Sequence, residues 1–228
     1  VTEVLYNTVE TPRGRQFQLL LADGSKVWLN SASSIRYPAS FDGGDRNVQI
    51  SGEAYFEVAT VFTKDGSRKV PFTVTVLGDA GEVGTIEVLG THFNVNTYDH
   101  ADQVQATLLE GAIRMNRLNQ RQEIVPGQQA LVRTTDVSGA IKVLNKVDLE
   151  QVMAWKNGYF SFANSDLETV MRQIARWYDV DIEYAGKIPQ RKFGGEISRN
   201  SNASQVLKVL EESGVHFKIT GRKILVLP

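Results

Sequence analysis

Cysteine is absent from the sequence. That excludes disulfide staples, Cys-ligated zinc and thiol nucleophiles. Histidine is scarce, with three in 228 residues. Neither sign of charge is in excess: 25 Lys and Arg stand against 26 Asp and Glu, a formal net charge of −1. No global field therefore calls for nucleic acid or an anionic membrane. No apolar run approaches the roughly 20 residues that span a bilayer. No signal peptide opens the chain, and Val1 is not a natural start. The expectation is a piece excised from a longer protein, about whose anchor this sequence is silent. What is present is ordinary for a globular protein: 42% apolar and 22% charged residues. That is enough for one large or two modest domains.

The first 135 or so residues read as strands. Residues 16–21, the Asp23-Gly24 turn and Val27-Trp-Leu29 form a hairpin signal. The run Phe72-Thr-Val-Thr-Val-Leu77 alternates with a period of two, placing Phe72, Val74 and Val76 on one face. Turn signals recur at Asp42-Gly-Gly44, Asp65-Gly66, Gly78-Asp-Ala-Gly81 and Pro126-Gly127. No amphipathic helix precedes Asp136. There is also a faint internal echo. Ile50-Ser-Gly52 before Tyr55-Phe-Glu-Val58 resembles Val88-Leu-Gly90 before His92-Phe-Asn-Val95, and Leu108-Leu-Glu-Gly111 is a looser third copy. The spacing is unequal, so the all-β domain, placed at 1–135, is either β-roll or solenoid-like or a sandwich.

After Asp136 the pattern changes. Residues 136–158 read as a connector with a short helix over 147–155, Asp148 as its N-cap and Gly158 just beyond. Residues 159–228 then read as a small α+β domain in the order βαβ-βαβ-β. Its strands fall near 159–162, 180–184, 193–197, 215–219 and 223–227. A helix starts at Asn164-Ser-Asp166, with apolar positions Leu167, Val170, Met171, Ile174 and Tyr178 at helical spacing. A second is capped by Asn202 and carries Val206, Leu207 and Leu210. Each large side chain buried on those stripes stabilises by about 1.5–3 kcal/mol. The expected sheet has five strands and free edges, and free edges invite strand addition by a partner.

Chemistry is thin. Two of the three histidines, His92 and His100, fall with Asn94, Asn96 and Asp99 in one stretch. On a strand, His92, Asn94 and Asn96 share a face. A metal hydrolase built on His92 and His100 is one reading; a polar strand face is the other, and Asn is a poor ligand for metals that imidazole prefers. Asp65, Asp79, Asp99 and Asp102 fall in turns, where Asp is expected. No nucleophile-elbow sequence surrounds a serine. Gly43-Gly44 and Gly194-Gly195 are not followed by the Lys-Ser/Thr of a phosphate loop. The sequence therefore predicts no catalytic residue, no cofactor site and no metal site. Locally basic residues Lys187, Arg191, Lys192 and Arg199, with Lys218 and Lys223 on late strands, suggest either solvated positions or a partner-binding rim. From these, Lys192, Arg199, Lys218 and Lys223 are the candidate partner-binding residues.

A series of motifs carries a resemblance. Leu21-Ala-Asp-Gly-Ser-Lys-Val-Trp-Leu-Asn30, Gly52-Glu-Ala-Tyr-Phe-Glu-Val58, Val88-Leu-Gly-Thr-His-Phe-Asn-Val95, Thr107-Leu-Leu-Glu-Gly111 and Pro126-Gly-Gln-Gln-Ala130 follow in the order seen in FecR-like regulators. The run Trp155-Lys-Asn-Gly-Tyr-Phe-Ser-Phe162 resembles the start of the C-terminal domain attached to that family in Bacteroidetes. That domain is similar to the short N-terminal domains of secretins and TonB-dependent transporters. Ala22 replaces the usual proline, and residues 60–70 and 78–84 are longer than typical. The resemblance implies the periplasmic part of an inner-membrane-anchored, transmembrane anti-sigma factor, with no enzymatic activity. Its implied partner is the signalling domain of an outer-membrane TonB-dependent transporter. The extracytoplasmic-function sigma factor and the membrane would be reached only through a cytoplasmic segment and a transmembrane helix absent from this sequence. A reading of a different class is a carbohydrate-binding β domain, for which Trp28, Tyr37 and Tyr55 would have to form an exposed aromatic platform.

Overall fold

The computed structural model describes residues 4–41, 44–98 and 103–227. The chain divides into two units: residues 1–11 with 16–149, and residues 150–228 with 12–15. The first is all-β and the second small and α+β.

The first unit contains β1 (Tyr6–Thr11), β2 (Phe17–Leu20), β3 (Lys26–Leu29), β4 (Ser33–Pro38), β5 (Arg46–Ser51), β6 (Glu53–Glu57) and β7 (Phe72–Gly78). It continues with β8 (Gly81–Val88), β9 (His92–Asn96), β10 (Gln103–Glu110), β11 (Ile113–Arg117), β12 (Gln120–Ile124), β13 (Gln129–Arg133) and β14 (Ile141–Leu144). One seven-stranded sheet has the order β1-β4-β5-β7-β8-β11-β12; the other is β2-β3-β6-β9-β10-β13-β14. The chain therefore passes back and forth between two layers, and each layer grows in one direction only. Where two strands lie between neighbours, the neighbours run antiparallel. Only β6 lies between β5 and β7, so that pair is parallel.

Both layers face a common core. Residues on β3, β6, β9 and β10 alternate, so that Leu29, Ala54, Val95 and Ala106 form one inward rung. Phe56 stacks on Phe93 within its sheet, centroids 4.9 Å apart, and meets Phe72 of the opposite sheet edge-on at 6.4 Å. Of the two all-β architectures open to the sequence, the structure is the sandwich, with the sequential strand order of a roll.

The internal echo marks the corners of this path. Gly52 joins β5 to β6, Gly90 joins β8 to β9, and Gly111 joins β10 to β11, each between sheets. All three have positive φ. A Cβ on Gly52 would lie 2.7 Å from Ser33 Cα and 2.8 Å from the Ala32 carbonyl oxygen. Glycine is needed there both for the turn and for the closeness of the adjacent corner.

Residues 136–158, read from the sequence as a connector, include β14, which pairs antiparallel with β13 and closes the second sheet's edge. A one-turn helix α1 (Leu149–Met153) follows. The second unit then runs β15 (Tyr159–Asp166), α2 (Leu167–Tyr178), β16 (Asp181–Tyr184), β17 (Lys192–Ser198), α3 (Ala203–Glu211), β18 (His216–Thr220) and β19 (Lys223–Leu227). The order of elements is the one expected. The single five-stranded sheet is not: the strands divide into β15-β17 and β16-β19-β18. The chain leaves β16 through residues 185–191 and returns to β15, while β19 takes the place beside β16, in parallel. Side chains from both sheets, among them Phe160, Phe193 and Ile224, share one core with the apolar faces of α2 and α3. Both helices start on a side-chain cap. Asp166 accepts from the Thr169 N–H at 2.8 Å. Asn202 and Gln205 form a reciprocal capping box.

Candidate functional site

Strand β9 carries the stretch in which histidine and asparagine meet. His92, Asn94 and Asn96 do share its outer face, yet they do different things. His92 is half exposed and its Nδ1 lies 3.1 Å from Glu110 Oε2 on the neighbouring strand. His100, Asp99 and Asp102 lie outside the described residues. Asn94 and Asn96 instead each donate at 3.1 Å to Glu53 Oε1 on β6. Asn30 donates to the other carboxylate oxygen, Oε2, at 2.7 Å. Glu53 is thus a buried carboxylate held by three side-chain amides from two segments, the end of β3 and strand β9. The network continues outward. Asn30 Oδ1 accepts from the Ser31 N–H at 2.9 Å, and Thr11 Oγ1 donates to the Asn30 carbonyl at 2.6 Å. The Tyr98 hydroxyl donates to the Ser31 carbonyl. Every polar group here has a partner, which is the arrangement of a structural lock.

A second buried polar cluster lies at the Asp23-Gly24 turn. Asp23 accepts from the Ser25 N–H at 3.0 Å and from its hydroxyl at 2.9 Å, closing the turn. The same carboxylate pairs with Arg46 at 2.8 Å, with side chains only 4% and 2% exposed. Arg46 also donates to the carbonyls of Ala59 at 2.8 Å and Val70 at 2.5 Å. One guanidinium thereby joins the turn to both ends of the loop between β6 and β7.

The four candidate partner-binding residues have different fates. Lys192 is exposed at the start of β17, opposite Asp166 in register. Lys218 is exposed on β18, an edge strand. Lys223 is exposed at the start of the central strand β19, and Glu183 pairs with it at 2.5 Å, raising its ammonium pKa above the ordinary value. Arg199 is not at a rim. It is buried, with its guanidinium over Phe160 at 4.9 Å and over Trp177 at 5.0 Å, and its Nε donates to the Tyr159 carbonyl. Cation–π contact and a backbone acceptor together explain how a charge is accommodated there. Arg199 holds an aromatic layer together instead of facing a partner.

The aromatic platform is not formed. Tyr55 is buried and tilted 51° from Trp28, and Tyr37 lies in the opposite sheet. A cleft of about 510 Å³ opens between the β7–β8 turn, the β11–β12 turn and residues 134–137. Arg117, which lines it, is buried and donates to the carbonyls of Arg133 and Asp136 at 2.5 and 2.7 Å. Among the described residues no three His, Asp or Glu side chains converge as metal ligands.

Two family models match in order: the FecR protein model over residues 7–114 and the FecR C-terminal model over residues 159–226. The chain belongs to the FecR family. Two crystal structures from Parabacteroides distasonis, each described as of a proposed anti-sigma factor, share the fold. One, at 2.50 Å resolution, has TM-score 0.81 and 24% identity over 98% of this chain and 99% of that one. The other, at 1.65 Å, has TM-score 0.80 and 24% identity over 96% and 98%. No curated protein matches the sequence.

The geometry says what the FecR motifs are for. Asp23, Ser25 and Asn30 of the first motif, and Gly52 and Glu53 of the second, form turns, corners and locks of the sandwich. Glu53 and Arg46 both fall at positions that carry the family resemblance, but their roles as locks were not legible in the sequence, because neither has a local partner. Each opens a strand, Arg46 directly after Asp45 and Glu53 in a strand that ends on Glu57, so no linear pattern marks either as buried.

Proposed function

We propose that the chain is the periplasmic signal-receiving part of an anti-sigma-factor regulator, without enzymatic activity. In this reading the second unit engages the signalling domain of an outer-membrane TonB-dependent transporter by strand addition at β18. The signal is then relayed to an extracytoplasmic-function sigma factor by segments beyond this sequence. The observation that carries the reading is the edge itself. β18 pairs with β19 on one side only, and Lys218, Ile219 and Thr220 on it are exposed. The Phe217 N–H turns away from β19 and donates to Glu211 Oε1 at 3.4 Å. By alternation the Ile219 N–H also faces outward. A long contact to one flexible carboxylate is a guard that an incoming strand can displace. Family membership supplies the class of partner. No described helix is long and apolar enough to cross a membrane.

The test is titration of the full 228-residue chain against the cognate signalling domain. Ile219→Pro removes only an outward donor and blocks strand addition while keeping the β18–β19 ladder. It is expected to abolish binding, and Lys218→Glu to weaken it severalfold. A wild-type chain that does not bind, or an Ile219→Pro chain that binds equally well, counts against the reading.

A further inference from the structure

The loop between β6 and β7 is a built object. Its ends are held by the buried Arg46, through the carbonyls of Ala59 and Val70. The Ala59 N–H donates to Ser25 Oγ at 3.0 Å, so the Asp23 turn grips the same root. Between these anchors the chain forms a small hairpin. The Val70 N–H bonds to the Val61 carbonyl and the Thr63 N–H to the Arg68 carbonyl, both at 2.8 Å. Phe62 faces Lys69 across the bridge between them. At the tip Asp65 accepts from Thr63 and Ser67, which holds its carboxyl down to about 2. That carboxylate is the hairpin's only one, and it serves the turn.

The surface of this hairpin is cationic and apolar together. Lys64, Arg68 and Lys69 are exposed, and none pairs with a carboxylate among the described residues. Phe62 is 54% exposed on the face it shares with Lys69. An exposed phenylalanine beside three cations on an anchored tip gives the hairpin both an apolar group to insert and an anion-attracting surface. We propose that this hairpin is a docking tip for an anionic phospholipid surface, its cations meeting phosphate headgroups and Phe62 entering the interfacial layer. The expectation that membrane contact comes only through segments outside this chain would then need a second point of contact. This inference rests on the first unit alone, so its failure is distinguishable from failure of partner binding at β18.

The experiment is flotation of the full chain with vesicles containing phosphatidylglycerol, against vesicles of phosphatidylcholine alone. The expected result is association with the anionic vesicles only, weakening as salt rises. Replacing Lys64, Arg68 and Lys69 together by Gln is expected to lower that partition about a hundredfold. Phe62→Ser should lower it roughly tenfold. All four side chains are exposed, and an unchanged circular dichroism spectrum verifies the fold. No association of wild type with anionic vesicles, or equal association of the triple variant, overturns the proposal. So does capture of polyglutamate by the hairpin without vesicle binding, which would assign the tip to an acidic protein surface.

Discussion

Glu53 shows how a single charge can organise a β-sandwich. Its two oxygens are satisfied by Asn30, Asn94 and Asn96. Glu53→Ala would remove the carboxylate acceptor from two buried amides, Asn30 and Asn94, and from the half-buried Asn96. Each unsatisfied group costs about 1–3 kcal/mol, with partial relief by water. The variant is expected to lose about 3 kcal/mol of stability in urea unfolding, with β-structure retained at low denaturant. Tyr55, a few residues on, makes a pH prediction. Burial, reinforced by the Glu57 carboxylate, pushes its phenol up from 10.0 to about 12. The fold therefore retains this proton where the unfolded chain releases it. The stability it contributes is complete below pH 10 and is lost as pH rises from 10 to 12. Thermal unfolding followed across that window should show Tyr55→Phe falling less steeply than wild type. His92, by contrast, is half exposed beside one carboxylate and belongs to no such network.

At the scale of elements, the corners separate two kinds of glycine. Gly52 has φ +83 and no room for a Cβ; Gly66, at the hairpin tip, has φ +69 and nothing within 4 Å. Gly66→Ala should cost about 1–2 kcal/mol, the left-handed penalty alone. Gly52→Ala adds a backbone clash and should cost more, lowering the melting temperature further in a paired comparison. The helix starts were readable from sequence because caps are local: Asn202 and Gln205 are three residues apart. Strand existence was readable for the same reason, through alternation. The division of the second unit's strands into two sheets was not. It depends on whether β19 or β17 lies beside β16, a choice made by packing against α2 and α3 and by no local pattern.

Over the whole molecule there are two cores, one in each unit. The larger draws on both seven-stranded sheets; the smaller joins two helices to two short sheets. Two components are expected in calorimetry. Ile174→Ala should cost 2–5 kcal/mol in the smaller core, and Phe93→Ala 3–5 kcal/mol in the larger, each moving one component far more than the other. A net charge of −1 hides how charge is distributed. The 59–70 hairpin concentrates three cations that have no carboxylate partner among the described residues, whereas Arg46, Arg117 and Arg199 are drawn inside to hold carbonyls.

The sequence by itself determined the period of each segment, the caps, the turns and the order of motifs, and with them the family and the two-part, all-β then α+β plan. These depend on residues near one another in the chain, or on a linear pattern. Tertiary structure decided which charges are locks and which are offered to solvent. Asp23 meets Arg46 across 23 positions and Glu53 meets Asn94 across 41. Loop closure over such spans is compensated only when the whole sandwich forms. For that reason Arg199, Arg46 and Glu53 could not be told from surface charges until the strands were placed.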